Sequence, residues 1–169
     1  FSAQLTTFKT HAPEAIFVPG YYTEAASIAV QAQRIGLRVP LLGGDGWDSP
    51  RLFEIGGAAL DGSYFSNHYS PENATGVAAR FIGTYRQRHN VVPDGLAALG
   101  YDAARILYDA MGRARDLTSP AIRDALAATR DFDGVTGRIT INAERNAVKP
   151  AVVLRIQGGT TQLATRVEP

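Results

Sequence analysis

Short, continuous apolar runs alternate with longer segments of helical periodicity from the start of the chain to about Tyr69. The runs are centred on Ile16, Leu41 and Tyr64, and each has proline or glycine close by. Between them, apolar residues recur three or four positions apart, as in helices that bury one face. Strands that are apolar on both faces and alternate with helices predict a parallel sheet with right-handed crossovers. The chain is therefore predicted to have an α/β fold, with a parallel sheet and flanking helices.

Prolines, glycines and hydroxyl side chains predict where these helices begin and end. An opening helix is expected to stop before Pro13. Thr23 is a plausible N-cap for the second helix, and Gly36 a plausible C-terminal stop. In the third unit, Ser49 is predicted to cap a helix whose first residue is Pro50.

The pattern changes from Pro71 onward, where three longer amphipathic segments are followed by residues of strand periodicity. The helices are predicted at residues 72–90, at residues 95–114 and after a cap at Thr118 or Ser119. After Gly134 the period shifts from 3.6 to 2, and the predicted strands are GRITIN, AVVLRIQ and TQLATRV. Tight turns are expected between them, one of them at Gly158–Gly159.

Composition narrows the classes of function. Hydrophobic residues make up 45% and charged residues 20% of the 169 residues, which is typical of a soluble globular chain. The net charge is +1 with both signs interspersed, so no nucleic-acid partner is expected. The apolar runs are too short to span a membrane. There is no cysteine, which excludes disulfides and thiolate chemistry.

Motifs of metal sites and of enzymes are missing from the sequence. His11, His68 and His89 are scattered and do not have the spacing of metal ligands. Neither a GxSxG elbow nor a P-loop occurs. We therefore expect no metal, no cofactor and no catalytic residues.

The segment GGDGWDS comes directly after the second predicted strand. Ligands of open α/β sheets bind outside the carboxyl ends of the strands, so this loop is a candidate site. Asp45 is a carboxylate that can pair with a cation, and Trp47 is a candidate apolar wall or cation–π face. The alternative is a turn in which Asp45 only caps nearby N–H groups.

The segment PGYYTE occupies the equivalent position after the first predicted strand. Tyr21 and Tyr22 are therefore expected on the same rim of the sheet as Asp45, where their rings and hydroxyls suit a small ligand. The alternative is that these tyrosines pack on the cap of the following helix. Aromatic and acidic groups without a nucleophile–base pair indicate a binding crevice rather than a catalytic site.

Four segments together resemble the branched-chain amino-acid binding proteins of ABC transporters, which are type I periplasmic binding proteins of the Leu/Ile/Val class. The segments are GYYTEAASIAVQAQRIGLRVPLLGGDGWDSPRL, YFSNHYSPE, ALGYDAARIL and RDALAATRDFDGVTGRITIN. Members of that family have two lobes and are roughly twice as long. The resemblance therefore implies a C-terminal fragment, in which residues 1–92 belong to the second lobe. Residues 93–134 would be helices that return to the first lobe, and residues 135–169 would be closing strands.

The resemblance also implies a ligand site. In the family, an acidic residue at the position of Asp45 holds the α-ammonium of the ligand. A tyrosine in the loop GYY contacts the ligand, and Tyr21 is the best match, with Tyr22 one residue away. The tyrosine of ALGYDA, Tyr101, would also face the cleft, and Trp47 is a looser match. Groups of the first lobe would receive the carboxylate.

The function implied by the resemblance is binding of a small amino acid, or a related polar solute, for transfer to an ABC permease in the membrane. A ligand-sensing domain of a receptor or regulator is the alternative on the same fold. The expected location is the periplasm, or the cell exterior with a membrane anchor in a Gram-positive host. Without the first lobe, the faces of Leu99, Ile106, Leu107 and Ile122 are expected to lack a partner, which predicts a homo-oligomer of the fragment.

Overall fold

Three strand–helix units open the chain, as the alternation of apolar runs predicts. The computed structural model describes residues 1–72 and 74–169. The helices are α1 (Ser2–Thr10), α2 (Tyr22–Arg34), α3 (Pro50–Gly56), α4 (Gly76–His89), α5 (Gly95–Arg113) and α6 (Ser119–Ala127). The strands are β1 (Ile16–Val18), β2 (Leu41–Gly43), β3 (Tyr64–Asn67), β4 (Phe132–Gly134), β5 (Gly137–Ile141), β6 (Ala147–Val148), β7 (Ala151–Gln157) and β8 (Thr160–Val167).

The larger sheet has five strands in the order β1-β2-β3-β7-β8. Strands β1, β2 and β3 are parallel, which confirms the predicted parallel sheet. Strand β7 joins this sheet antiparallel to β3, with Phe65 opposite Leu154. A smaller antiparallel sheet has the order β4-β5-β6, and its outer strands were not predicted from the sequence. Both are short, and β4 contains Asp133 and Gly134, which are rare in strands.

The chain divides into two compact units. The first unit contains residues 1–67 and 152–166, and the second contains residues 68–151 and 167–169. The opening segment of the first unit therefore ends at Asn67, and the chain returns to this unit at Val152. Helix α4 belongs to the second unit because its Phe81 packs there with Tyr69, Ala98 and Val135.

Alanines of α2 and large side chains from the loops fill the core of the first unit. Four alanines of α2 are buried, and their small side chains allow the helix to lie close to its neighbours. Trp47, Leu52, Leu60 and Phe65 are almost completely buried against them. Burying a large apolar side chain of this kind stabilises a fold by about 1.5–3 kcal/mol.

A buried carboxylate organises part of the second unit. Asp102 of α5 is 2% exposed and accepts hydrogen bonds from the amides of Val135 (2.7 Å) and Thr136 (2.8 Å). The hydroxyl of Thr136 donates a third bond at 2.9 Å. These bonds tie α5 to the turn between β4 and β5, and they provide the pairing that a buried carboxylate requires.

Helix boundaries follow the predicted signals in most places. Ser49 caps α3 by accepting a hydrogen bond from the amide of Arg51, and Pro50 is its first residue. Gly36 follows α2 with a φ of 72°, as expected of a helix stop. The prediction for Thr23 was wrong, because α2 begins at Tyr22 and its N-cap residue is Tyr21.

The apolar residues of α5 and α6 that were expected to lack a partner are for the most part not exposed. Ile106 is buried, and Leu99 and Ile122 are half-buried, so that Leu107 is the one exposed member of the predicted set. Leu96 and Tyr108 of α5 are exposed in addition. Across residues 1–72 and 74–169, no helix has both the length and the apolar character needed to cross a membrane.

Candidate functional site

The carboxyl ends of β1, β2 and β3 lie side by side in the first unit, because these neighbouring strands are parallel. The segment Pro19–Tyr21 follows β1, and the segment Gly44–Asp48 follows β2. The second segment contains a short 3-10 helix, Asp45–Trp47, closed by a hydrogen bond from the amide of Asp48 to the carbonyl of Asp45 (3.0 Å). The two predicted loops therefore share one rim of the sheet.

Gly46 brings the two loops into direct contact. A Cβ placed on this glycine would lie 2.8 Å from the carbonyl oxygen of Gly20 and 3.0 Å from Cδ1 of Tyr21. Contacts this short require a neighbour to move, so the loops fit together only because residue 46 has no side chain. The Tyr21 ring is consequently held next to the segment that carries Asp45.

Asp45 and Tyr21 are both exposed on this rim. Tyr21 is 70% exposed, which leaves most of its ring and hydroxyl accessible to a ligand. Tyr22 is half-buried, because it begins α2 and packs against the core of the first unit. The sequence allowed each tyrosine either to face a ligand or to pack on the following helix. Tyr22 packs at the start of the helix, whereas Tyr21 faces solvent.

Trp47 has a different position from the one expected of a ligand wall. Its side chain is 0% exposed and lies in the core, with its ring centroid 6.1 Å from that of Phe65. A Cβ on Gly43 would overlap the indole, so the ring occupies the space above the end of β2. Trp47 is in the core because burial of its large apolar ring is favourable. It therefore packs beneath the loop, on the core side, and is not part of the exposed rim.

A polar contact that the sequence did not single out connects the ends of β2 and β3. The side-chain amide of Asn67 donates a hydrogen bond of 2.9 Å to the carboxylate of Asp48. Asn67 is buried, so this bond satisfies a polar group that would otherwise be costly inside the fold. The sequence signal that could have identified Asn67 as a residue of this rim is its position as a polar residue at the carboxyl end of a predicted strand.

Tyr101 lies on α5 in the second unit and is 42% exposed. Its ring stacks on Phe81 with centroids 4.6 Å apart, and the guanidinium of Arg105 lies 5.7 Å from its centroid. Among the described residues, no group of three or more histidine, aspartate or glutamate side chains could hold a metal ion.

Comparison with known proteins identifies the family of this arrangement. Residues 1–161 match the model of a periplasmic binding protein family. The leucine-binding protein LivK from Thermotoga maritima superposes with a TM-score of 0.95 and is 39% identical, over 100% of this chain and 49% of that chain.

Two further relatives support the same family. LivJ from Streptococcus pneumoniae, solved in complex with isoleucine, gives a TM-score of 0.89 at 36% identity, over 100% of this chain and 49% of that chain. Among curated proteins, a Leu/Ile/Val-binding protein homolog from Brucella melitensis is 23% identical over 89% of this chain and 41% of the relative. The chain thus spans about half the length of the relatives it matches, and it belongs to the periplasmic binding protein family.

Proposed function

We propose that the chain forms part of the substrate-binding component of an ABC importer and binds a small amino acid or a related polar solute. The observation that carries the proposal is the close fit to LivJ, a relative solved with isoleucine, over the whole of this chain. The relatives described above are transport and amino-acid binding proteins, so the alternative of a receptor or regulator domain gains no support from them.

The exposed rim of the first unit has the chemistry to hold the positive end of such a ligand. An amino acid is a zwitterion, and both of its charges must be paired when water is removed from it. The carboxylate of Asp45 is the proposed partner of the ammonium group. Tyr21 adds an aromatic wall with a hydroxyl, and Gly46 keeps that ring next to Asp45.

The remaining contacts are assigned to other parts of the protein. The groups that receive the ligand carboxylate would belong to the half of the family's length that this chain does not cover. Since each part satisfies only some of the ligand's polar groups, ligand binding would favour closure of the protein around it.

The proposal includes a location and a partner. Delivery of a solute to an ABC permease places the protein in the periplasm, or outside the cell with a membrane anchor in a Gram-positive host. The role is binding rather than catalysis, because the exposed rim offers a carboxylate and a phenol without an adjacent nucleophile–base pair among the described residues.

The decisive test is calorimetric titration of the full-length protein with leucine, isoleucine and valine. We expect a dissociation constant in the micromolar range or tighter, roughly −8 kcal/mol. Asp45→Asn removes the charge that pairs with the ammonium and should weaken binding at least about a hundredfold, since a buried, unpaired ammonium is costly.

Glu54→Gln is the matched control, because Glu54 is an exposed acid on α3 of the same unit but is not on the rim. Its affinity should equal that of the wild type. The assignment of Asp45 is wrong if Asp45→Asn binds these amino acids within about threefold of the wild type, a difference below 1 kcal/mol.

A further inference from the structure

A groove between α4 and α5 in the second unit has a size suited to a small molecule. Its volume is about 660 Å³, within the range of small-ligand sites. Three aromatic rings, those of Phe81, Tyr85 and Tyr101, contribute to its lining. The centroid of the Phe81 ring is 5.6 Å from that of Tyr85 and 4.6 Å from that of Tyr101, so the rings form a continuous apolar floor.

The charged groups around this floor are all basic. Arg80, Arg88 and His89 of α4 line the groove together with Arg105 of α5, and none of the described lining residues carries a carboxylate. We call this site the arginine groove. The whole chain has a net charge of only +1, so its basic and acidic side chains nearly balance, whereas the described lining of this groove has basic side chains without acidic ones.

Two of the basic groups are held in place over aromatic rings. Arg105 donates a hydrogen bond of 2.9 Å to the carbonyl of Asp133, and its guanidinium lies 4.9 Å from the ring centroid of Phe132. The imidazole of His89 stacks on Tyr85 at 4.4 Å. A guanidinium that is already positioned beside an aromatic floor reduces the ordering cost of binding an anion.

The other two arginines remain available to a ligand. Arg80 and Arg88 are exposed, and among the described residues neither side chain makes a hydrogen bond or an ion pair. They lie about two turns apart on α4, and both line the groove. Guanidinium groups bind phosphate and carboxylate through paired hydrogen bonds, which makes an anion the complementary occupant.

We propose that the arginine groove binds a small aromatic dianion, such as an aryl phosphate or an aryl dicarboxylate. The planar body would stack on the floor formed by Phe81, Tyr85 and Tyr101. The doubly charged head would bind Arg80 and Arg88, with Arg105 contributing a fixed third cation. A small molecule is favoured over a charged polymer or a membrane, because the site is a groove of limited volume with an aromatic floor.

The test is calorimetric titration of the full-length protein with phenyl phosphate in the presence of saturating leucine. One phenyl phosphate should bind per chain, and the double variant Arg80→Gln/Arg88→Gln should bind it at least about tenfold more weakly. Arg86→Gln is the control, because Arg86 is an exposed arginine of α4 that does not line the groove. Its affinity for phenyl phosphate should be unchanged, and all variants should keep the wild-type affinity for leucine.

Four results would overturn the inference. The first is no binding of phenyl phosphate, and the second is an equal loss in Arg86→Gln, which would indicate a general charge effect. The third is inorganic phosphate binding as tightly as phenyl phosphate, because the aromatic floor would then have no role. The fourth is Arg80- and Arg88-dependent binding to phosphatidylglycerol vesicles without binding of phenyl phosphate, which would identify a membrane surface as the occupant.

Discussion

At the scale of single residues, two glycines at and just after the end of β2 make room for different neighbours. Gly46 allows the loop to touch Gly20 and Tyr21 on the exposed side, whereas Gly43 leaves room for the buried ring of Trp47. Gly44, between them, has nothing within 4 Å of a Cβ placed on it. Adjacent glycines of one motif therefore have different structural roles, which the sequence GGDGW alone does not distinguish.

The pair Gly43 and Gly44 provides a prediction about stability. Gly43→Ala should lower the free energy of unfolding by about 1–3 kcal/mol, because the added methyl group would overlap a buried indole. Gly44→Ala adds the same methyl group to open space and is the matched control. Urea unfolding followed by circular dichroism measures both, and equal stabilities of the two variants would contradict the packing described for Trp47.

At the scale of elements, one arginine connects the end of α5 to α6 by hydrogen bonds. Arg113 donates to the carbonyl of Ala125 (2.8 Å) and to the hydroxyl of Thr129 (3.0 Å). It also forms an ion pair with Asp109, one turn earlier on α5, at 2.7 Å. The buried Thr129 and the C-terminal turns of both helices are thereby connected through a single guanidinium group.

Arg113→Gln should therefore destabilise the protein by about 1–2 kcal/mol, since it removes charge-assisted hydrogen bonds between elements. Arg115→Gln is the control, because Arg115 is largely exposed and forms an ion pair with neighbouring Asp116. An exposed pair of this kind contributes little, about 0–1 kcal/mol. The prediction fails if chemical denaturation gives the same loss for both variants.

At the scale of the whole molecule, one half-buried amine makes stability depend on pH. Burial lowers the pKa of the Lys149 ammonium from its ordinary value of 10.5, and the Asp102 carboxylate opposes this effect in part. The amine lies 3.2 Å from Nδ1 of His68. Because the unfolded chain holds this proton more tightly than the folded one, the free energy of unfolding should rise with pH from the folded-state pKa up to 10.5.

Lys149→Met removes this titration. The stability of the wild type relative to the variant should therefore increase toward alkaline pH within that window, and it should be lowest where Lys149 is charged in both states. Urea unfolding at a series of pH values measures the difference. Arg38→Met is the control for loss of a positive charge that does not titrate, since arginine side chains keep their proton in this range. A difference between wild type and Lys149→Met that is constant or falls with pH would contradict the shift.

The sequence predicted the strand–helix alternation well because each signal is local. Ser49, Pro50 and Gly36 act within one turn of their own helix, and the apolar run at Ile16 is sufficient to indicate a strand. The prediction that this strand is buried on both faces was wrong, because Phe17 at its centre is 66% exposed. The shared position of Asp45 and Tyr21 followed from the parallel order of the strands.

The features that the sequence could not predict depend on contacts between distant residues. Trp47 in isolation suits a ligand wall as well as a core, and only its packing on Phe65 decides between them. Phe81 lies in one buried cluster with Val135, 54 positions later, and no local pattern records such a pairing. The bond between Asn67 and Asp48 likewise joins two separate strand ends.

Burial of the only tryptophan of these 169 residues gives this part of the protein an intrinsic optical probe. Its indole N–H has no hydrogen-bond partner among the described residues, and the ring is shielded from water, so its fluorescence should be emitted toward the blue end of the tryptophan range. The indole follows Asp45 by two positions in the same 3-10 helix. Rearrangement of that loop around a guest molecule would therefore alter the emission directly, and no extrinsic dye would be needed to observe it.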